Sequence, residues 1–286
     1  MRRALILLPL LPLLALLACA REPLEANPAL WRVEDGRGHV GWLFGTIHVS
    51  ERPLAWRTPK VDAALNRAGV VMVEVGNLAD EQQVAATFAA LAHSQGLRPL
   101  SQRVPTGYSA ALQALLKKAG KTEADFADTE TWAAALTLAQ AGADAGGARN
   151  GVDRAVIVAA GTKPVIELEG ARAQLGIFDA LPERDQRALL GAVVTEAAAP
   201  DKDLAKSWRT GDMTAVERET RTGMLADPDL RAALFTGRNQ RWTIRIAQSI
   251  TAGQRPFVAV GAAHMAGPQG LPAMLKSRGF TVTRIE

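Results

Sequence analysis

The chain has 286 residues, a formal net charge of +4, 5% aromatic residues, four histidines and one cysteine. A chain of this length can bury a core of its own, and a lone cysteine allows no disulfide within it. The arginines are scattered and aromatics few, which argues against a nucleic-acid surface, since that pairs a basic patch with stacking residues.

The first residues are set apart from the fold. Met1-Arg2-Arg3 is a short basic start, and Ala4 to Leu17 is apolar apart from two prolines. The run closes on small residues and is too short for a comfortable membrane span, so residues 1 to 18 read as a secretory signal. Ala18-Cys19-Ala20 fits a cleavage site that would release a soluble chain. Leu16-Leu17-Ala18-Cys19 fits a bacterial lipobox, in which Cys19 becomes the lipidated first residue. The lipobox is preferred, because the only cysteine stands where the lipid would be attached. The expected location is the cell envelope of a bacterium, facing the periplasm by a membrane anchor on Cys19 or soluble within it. Residues 19 to 286 are long enough for one large α/β domain or two smaller ones.

Along the chain, Leu30 to Glu34 predicts an edge strand, paired through an Asp35-Gly36-Arg37-Gly38 turn with a strand starting at Val40. Continuous apolar runs predict buried strands at Val40 to Ile47, Val70 to Val75, Pro164 to Leu168 and Phe257 to Val260. An alternating strand, Phe280 to Ile285, ends the chain. Helices are predicted over Pro59 to Ala68, Gln82 to His93, Tyr108 to Ala119, Thr131 to Ala143, Val152 to Ala160 and Pro268 to Arg278. Pro182 to Gly253 reads as three or four helical pieces, broken at Pro200-Asp201, Gly211-Asp212 and Asp227-Pro228, each break offering an Asp as N-cap. Ala139 to Gly147 reads as a loop or hinge. The order gives an α/β fold with a mixed, mainly parallel sheet and large helical insertions.

Two phrases stand out. Gly45-Thr46-Ile47-His48 and Gly261-Ala262-Ala263-His264 each follow a predicted buried strand, with the two histidines 216 residues apart. Together with Glu74 and Glu169, these histidines fall at the ends of four predicted strands. In an open sheet of parallel strands those ends line the rim where ligands bind. Two imidazoles and two carboxylates there suit a divalent-metal site or a metal-free acid/base constellation. The glycines are read as letting the chain turn off each strand. Glu74 interrupts a run of valines and methionine, where an unpaired charge would be costly. Glu167 lies two residues before Glu169 on the same strand face, so one of the two is read as solvated. His39 is read as a turn neighbour and His93 as a helix-end residue. Arg238-Asn239 could hold a substrate carboxylate or orient a catalytic one; judged by its helix alone it is a salt-bridging surface pair. Gly146-Gly147 lacks the lysine and serine of a phosphate loop, and no serine sits in a nucleophile elbow.

With these residues the chain resembles the TraB/GumN family, related to the Tiki metalloproteases. The resemblance runs from Leu30 to the end and rests on several phrases in order: Trp31-Arg32-Val33, Leu43 to Val49, Val71-Met72-Val73-Glu74, Gly151-Val152-Asp153 and Leu168-Glu169. Arg238-Asn239-Gln240-Arg241-Trp242 and Phe257 to Gly267 complete it. The sequence departs at Ala263, where the family often has glycine. The resemblance implies a single α/β domain over residues 19 to 286, with two GxxH motifs and acidic partners forming one site. Carried over, His48 and His264 match the GxxH histidines, Glu74 the acidic residue ending the second strand, and Glu169, Arg238 and Asn239 further polar positions.

The expected function is a periplasm-facing metal-dependent hydrolase of the peptidase type. His48, His264 and Glu74 would hold manganese, cobalt or zinc, and Glu74 and Glu169 would move protons. The substrate would be a peptide or a small molecule. Two alternatives stand beside it. Erythromycin-esterase-like relatives suggest a metal-free hydrolase whose histidine activates water. The haem-binding ChaN-like group suggests a non-catalytic lipoprotein with histidines on iron.

Overall fold

The computed structural model describes residues 22–76, 81–142, 150–199 and 204–286. The signal segment with Cys19, the Gly146-Gly147 pair and the Pro200-Asp201 break lie outside the described residues. The strands in chain order are β1 (Leu24–Glu25), β2 (Leu30–Glu34), β3 (Val40–Thr46), β4 (Leu54–Ala55), β5 (Val70–Val73), β6 (Val165–Glu167), β7 (Pro256–Gly261) and β8 (Thr281–Arg284). The first six helices are α1 (Pro59–Arg67), α2 (Glu81–Leu91), α3 (Ser109–Lys118), α4 (Thr131–Gly142), α5 (Val152–Ala159) and α6 (Ala171–Asp179). The others are α7 (Glu183–Ala198), α8 (Leu204–Arg209), α9 (Met213–Glu219), α10 (Pro228–Arg231), α11 (Gly237–Thr251) and α12 (Leu271–Ser277).

Six strands form one mixed sheet in the order β6-β5-β7-β3-β2-β8, and β1 pairs with β4 apart from it. Strands β6, β5, β7 and β3 run parallel, whereas β2 and β8 are antiparallel to their neighbours. The strands that carry the two GxxH phrases are adjacent, with Thr46 opposite Gly261. This α/β architecture, a mainly parallel sheet with helices inserted between its strands, is the one the element order predicts.

Side chains alternate across the sheet with the period of two that strands impose. Trp42, Phe44, Val71, Val73, Phe257 and Ala259 face one side, packed with α1 and α5. Leu43, Val70, Met72, Val258 and Val260 face the other, packed with Trp242, Ile246 and Ile250 of α11 and Leu271 and Leu275 of α12. A separate apolar cluster, built largely from α3, α4 and α7, occupies the helical insertions.

Several expectations need correction. Strand β2 is interior, because β8 covers the side that the sequence leaves open. Strands β6 and β8 are the two edges, so Val165 of β6 is exposed rather than buried. The last helix begins at Leu271, not Pro268, since a 3-10 turn over Ala262–Met265 and Gly267 at φ 70° intervene. Residues 139 to 142 belong to α4, which removes them from the proposed hinge. Helix α6 and the two-residue strands β1 and β4 were not anticipated. The Asp N-caps are as expected at two breaks: Asp212 accepts from the Ala215 N–H, and Asp227 from those of Asp229 and Leu230.

Candidate active site

The parallel strands deliver His48, Glu74, Glu169 and His264 to a single rim. His48 follows β3 in an irregular loop, whereas His264 lies in the 3-10 turn directly after β7. The same four-residue phrase therefore presents its histidine in two different ways. A Cβ on Gly45 would sit 2.9 Å from the Ala262 Cα, so this glycine makes room for the turn that carries His264. The other glycine marks a meeting point. A Cβ on Gly261 would lie 3.4 Å from Glu74 Oε1, 3.8 Å from His264 Cδ2 and 3.9 Å from His48 Nε2. Neither glycine has a positive φ, so close approach, not turn conformation, explains them.

Glu74 follows β5 and is 9% exposed. Its Oε1 accepts from the Gly261 N–H at 2.8 Å, and its Oε2 accepts from Arg238 Nη2 at 2.5 Å and Gln174 Nε2 at 3.3 Å. Continued pairing beyond β5 and β6 brings Glu169 beside it, with Leu168 N–H donating to Val73 C=O at 2.7 Å. Glu169 accepts from Arg238 through both Nε, at 3.0 Å, and Nη2. Glu167, by contrast, is exposed and accepts from the Gly76 N–H at 2.7 Å. It is the solvated member of the pair.

Arg238 is the hub of this network and is 8% exposed, which corrects the surface reading of the Arg238-Asn239 pair. The cause is local. Between α10 and α11 the chain makes a π-helical turn over Ala232–Thr236. Such a turn adds a residue to the helical repeat and is frequent at functional sites. Arg238 and Asn239 follow it at the start of α11 and share the buried stripe of Trp242, Thr243, Ile246 and Ile250, with Arg238 Nη1 also within 3.3 Å of the Leu234 carbonyl. The guanidinium lies over the Trp242 ring at 4.5 Å, a favourable cation–π arrangement.

His264 is fixed at both nitrogens. Asn239 Nδ2 donates to the carbonyls of Gln269 at 2.7 Å and His264 at 3.3 Å, which turns its Oδ1 toward His264 Nδ1, 2.7 Å away. Nδ1 therefore carries the proton. Nε2 then presents its lone pair to Arg238 Nη1 at 3.2 Å. Burial, beside the Arg238 charge, keeps the ring neutral by pushing it down to about 3 against the pull of Glu74. Burial also opposes the charge on Glu74, yet the surrounding imidazoles, Arg238 and the Gly261 N–H bring that carboxyl down to about 2. Burial raises Glu169, while its hydrogen bonds and ion pair with Arg238 draw it back. The same two carboxylates raise Arg238 against its burial. We read the trio as ionised, because the guanidinium donates to both carboxylates.

His48 differs in kind. Its side chain is 65% exposed at the mouth of a cleft of about 70 Å³, lined also by Glu74, Asp153, Gln174 and Thr46. Its Nδ1 donates to Asp153 Oδ2 at 2.8 Å, leaving Nε2 open to the cleft. The Asp153 hydrogen bond is the main cause raising this imidazole, opposed by desolvation and helped by the charges of Asp153 and Glu74. Asp153 was not among the predicted site residues. It enters through the start of α5, where Val152 N–H donates to the Ile47 carbonyl at 2.8 Å and Asn150 Nδ2 to that of Ser50 at 2.8 Å. A Cβ on Gly151 would lie 2.5 Å from the His48 carbonyl oxygen, so only glycine lets α5 approach this closely. The available signal was Gly151-Val152-Asp153, an acidic residue in a helix first turn behind a glycine. His39 and His93 lie outside the site, bonded to Asp35 and to the Asp128 carbonyl.

These residues bear directly on the expected metal. An ion held by His48, His264 and Glu74 needs a free nitrogen on each ring, and His264 has none. The Arg238 guanidinium faces that ring's Nε2 and also donates to Glu74. The arrangement thus does not fit a metal unless Arg238 withdraws.

The sequence pattern of the TraB/PrgY/gumN family matches residues 29–284. The chain belongs to this family. It is also 27% identical over 269 residues to uncharacterized protein YbaP of Escherichia coli strain K12, covering 88% of this chain and 95% of that protein. The YbaP of Shigella flexneri matches to the same extent. No solved structure matches. Within the family span lie both GxxH histidines, Glu74, Asp153, Glu169 and the Arg238-Asn239 pair.

Proposed function

We propose that this TraB/PrgY/gumN family chain is a hydrolase of the cell envelope, acting on an ester or amide bond of a small molecule or peptide. The carrying observation is His48, with Nδ1 bonded to a carboxylate and Nε2 open to a cleft. A carboxylate that fixes the tautomer and orientation of an imidazole makes the other nitrogen a competent general base. His48 Nε2 takes a proton as a water oxygen bonds to the substrate carbonyl carbon. The same proton passes to the leaving oxygen or nitrogen as its bond to that carbon breaks. Gln174 lines the cleft, and with one Nε2 hydrogen given to Glu74 its other serves the developing oxyanion, a type of contact worth several kcal/mol in other enzymes. Arg238, Glu74, Glu169 and His264 form the rigid floor.

The metal-dependent peptidase expected from the sequence requires Arg238 to leave His264 Nε2. The haem alternative asks for two accessible imidazoles, and His264 is buried with both nitrogens engaged. A library of nitrophenyl esters and fluorogenic peptides, assayed with chelator and with added manganese, cobalt or zinc, separates the readings. Turnover that survives chelator and disappears in His48→Ala is the expected result. Turnover that needs added metal would replace this mechanism with the metal-dependent one, and no turnover on any substrate would count against a hydrolase.

Among the described residues no helix is long and apolar enough to cross a membrane. We infer attachment through lipid on Cys19 from Leu16-Leu17-Ala18-Cys19 alone. Cys19→Ser should move the protein from the membrane to the soluble fraction with its melting temperature unchanged. Retention in the membrane fraction would mean that another element anchors it.

A further inference from the structure

Thr46 is the last residue of β3 and is 2% exposed, yet its hydroxyl oxygen finds no hydrogen-bond partner among the described residues. Asp153 presents a second case. Its Oδ2 holds His48, while its buried Oδ1 is likewise unpartnered. Both side chains line the cleft into which His48 Nε2 opens. Buried polar atoms are almost always satisfied, and leaving a hydroxyl bare costs about 1–3 kcal/mol. Nothing in packing calls for that hydroxyl. Val73, Ala259 and Ile157 line the same cleft, and valine would match threonine in shape and strand preference.

The two orphans complement each other: a carboxylate oxygen only accepts, whereas a hydroxyl both donates and accepts. A water between them can donate to Asp153 Oδ1 and to Thr46 Oγ1, or accept from Thr46. The cleft of about 70 Å³ that both residues line has space for it, since one water needs roughly 10–15 Å³ and two to four polar partners, and because both oxygens are themselves buried, the two side chains shift to meet it. We propose that Thr46 Oγ1 and Asp153 Oδ1 seat a bound water in front of His48. Asp153 then acts with both oxygens, one orienting the base and the other the water. Thr46 is a positioning residue, distinct from the group that moves the proton. The identity of this water as the attacking nucleophile rests on the hydrolase reading above.

The test uses the mature chain, its Thr46→Val and Thr46→Ser variants, and crystals diffracting well enough to place waters. The wild type should show an ordered water within hydrogen-bond distance of Thr46 Oγ1 and Asp153 Oδ1. Thr46→Val should lose it while keeping the fold and an equal or higher melting temperature, and Thr46→Ser should restore it. On any ester or peptide that the wild type turns over, Thr46→Val should lower kcat at least tenfold with KM unchanged, and Thr46→Ser should recover most of the rate. A dry cleft, or a Thr46 hydroxyl bonded to a protein carbonyl, would overturn the proposal. Full kcat in Thr46→Val would overturn the positioning role. A seated water, lost in Thr46→Val, in a protein that hydrolyses nothing would uphold the water site and sink the hydrolase reading instead.

Discussion

Arg238→Leu should destabilise the protein by about 3–5 kcal/mol at neutral pH, a loss typical of breaking a buried ion pair from one side. The guanidinium donates to Glu74 and Glu169 and faces the lone pair of His264, so its removal strands two buried carboxylates at once. Those carboxylates can escape only by taking up protons, which gives the variant a distinctive pH dependence. In the wild type Glu74 is held down at about 2, below its ordinary 4.5. Its contribution is therefore present above about pH 4.5 and is lost as pH falls toward 2. In Arg238→Leu burial is opposed only by the remaining partners, the imidazoles and the Gly261 and Gln174 N–H groups at Glu74 and the Arg241 charge at Glu169, and both carboxyls should rise above their unfolded values. A group raised by folding stabilises below its unfolded value and loses that stabilisation as pH climbs through the folded one. The gap between wild type and variant should accordingly shrink from pH 7 to pH 4. Urea denaturation at both pH values measures it. Glu74→Gln should cost less than Arg238→Leu, because Glu169 still pairs with the arginine. A constant gap, or one under about 1 kcal/mol, would mean that the Arg238 network is not the stabilising floor described here.

How much of this could be read from the sequence depends on distance along the chain. The strands were legible because buried parallel strands must be continuous apolar runs, and Val70 to Val73 or Pro256 to Gly261 could be little else. The meeting of His48 and His264 was legible from their matched phrases. That β3 and β7 lie side by side was not, since sheet order is set by crossovers that leave no local trace. Two features of the site escaped for the same kind of reason. Arg238 reads as a surface residue because it is charged, yet it shares the buried stripe of α11 with Trp242, Ile246 and Ile250, and the carboxylates that pair with it there, Glu74 and Glu169, lie 164 and 69 residues away. Asp153 lies 105 residues from His48, so nothing near either one announces the pair. The resemblance quoted Gly151-Val152-Asp153 without giving the aspartate a task. Its task follows from the docking of α5 against the end of β3, which exists only in the folded chain.

The pair of His48 and Asp153 should separate stability from activity as sharply as Arg238 joins them to the fold. His48→Ala removes a side chain that is 65% exposed and ion-paired at the surface, so the stability change should stay within about 1 kcal/mol. Hydrolysis should nevertheless fall by about 10²–10⁴-fold, the usual contribution of a positioned general base. Asp153→Asn carries the finer test. The hydrogen bond to Asp153 is the chief cause raising the His48 imidazole above its ordinary 6.5. A base must be neutral to accept a proton, so the wild-type rate should climb with pH through that raised value and then level off. Without the carboxylate the midpoint of the climb should move to lower pH, and the plateau should drop because the ring is no longer held in its working tautomer. The two effects have opposite signs below the wild-type midpoint, where they partly cancel, and act undiluted at high pH. A profile that keeps its midpoint in Asp153→Asn, or full activity in His48→Ala, would remove the imidazole as the base. A rate that instead followed the concentration of an added divalent ion would reassign the proton transfer to metal-bound water.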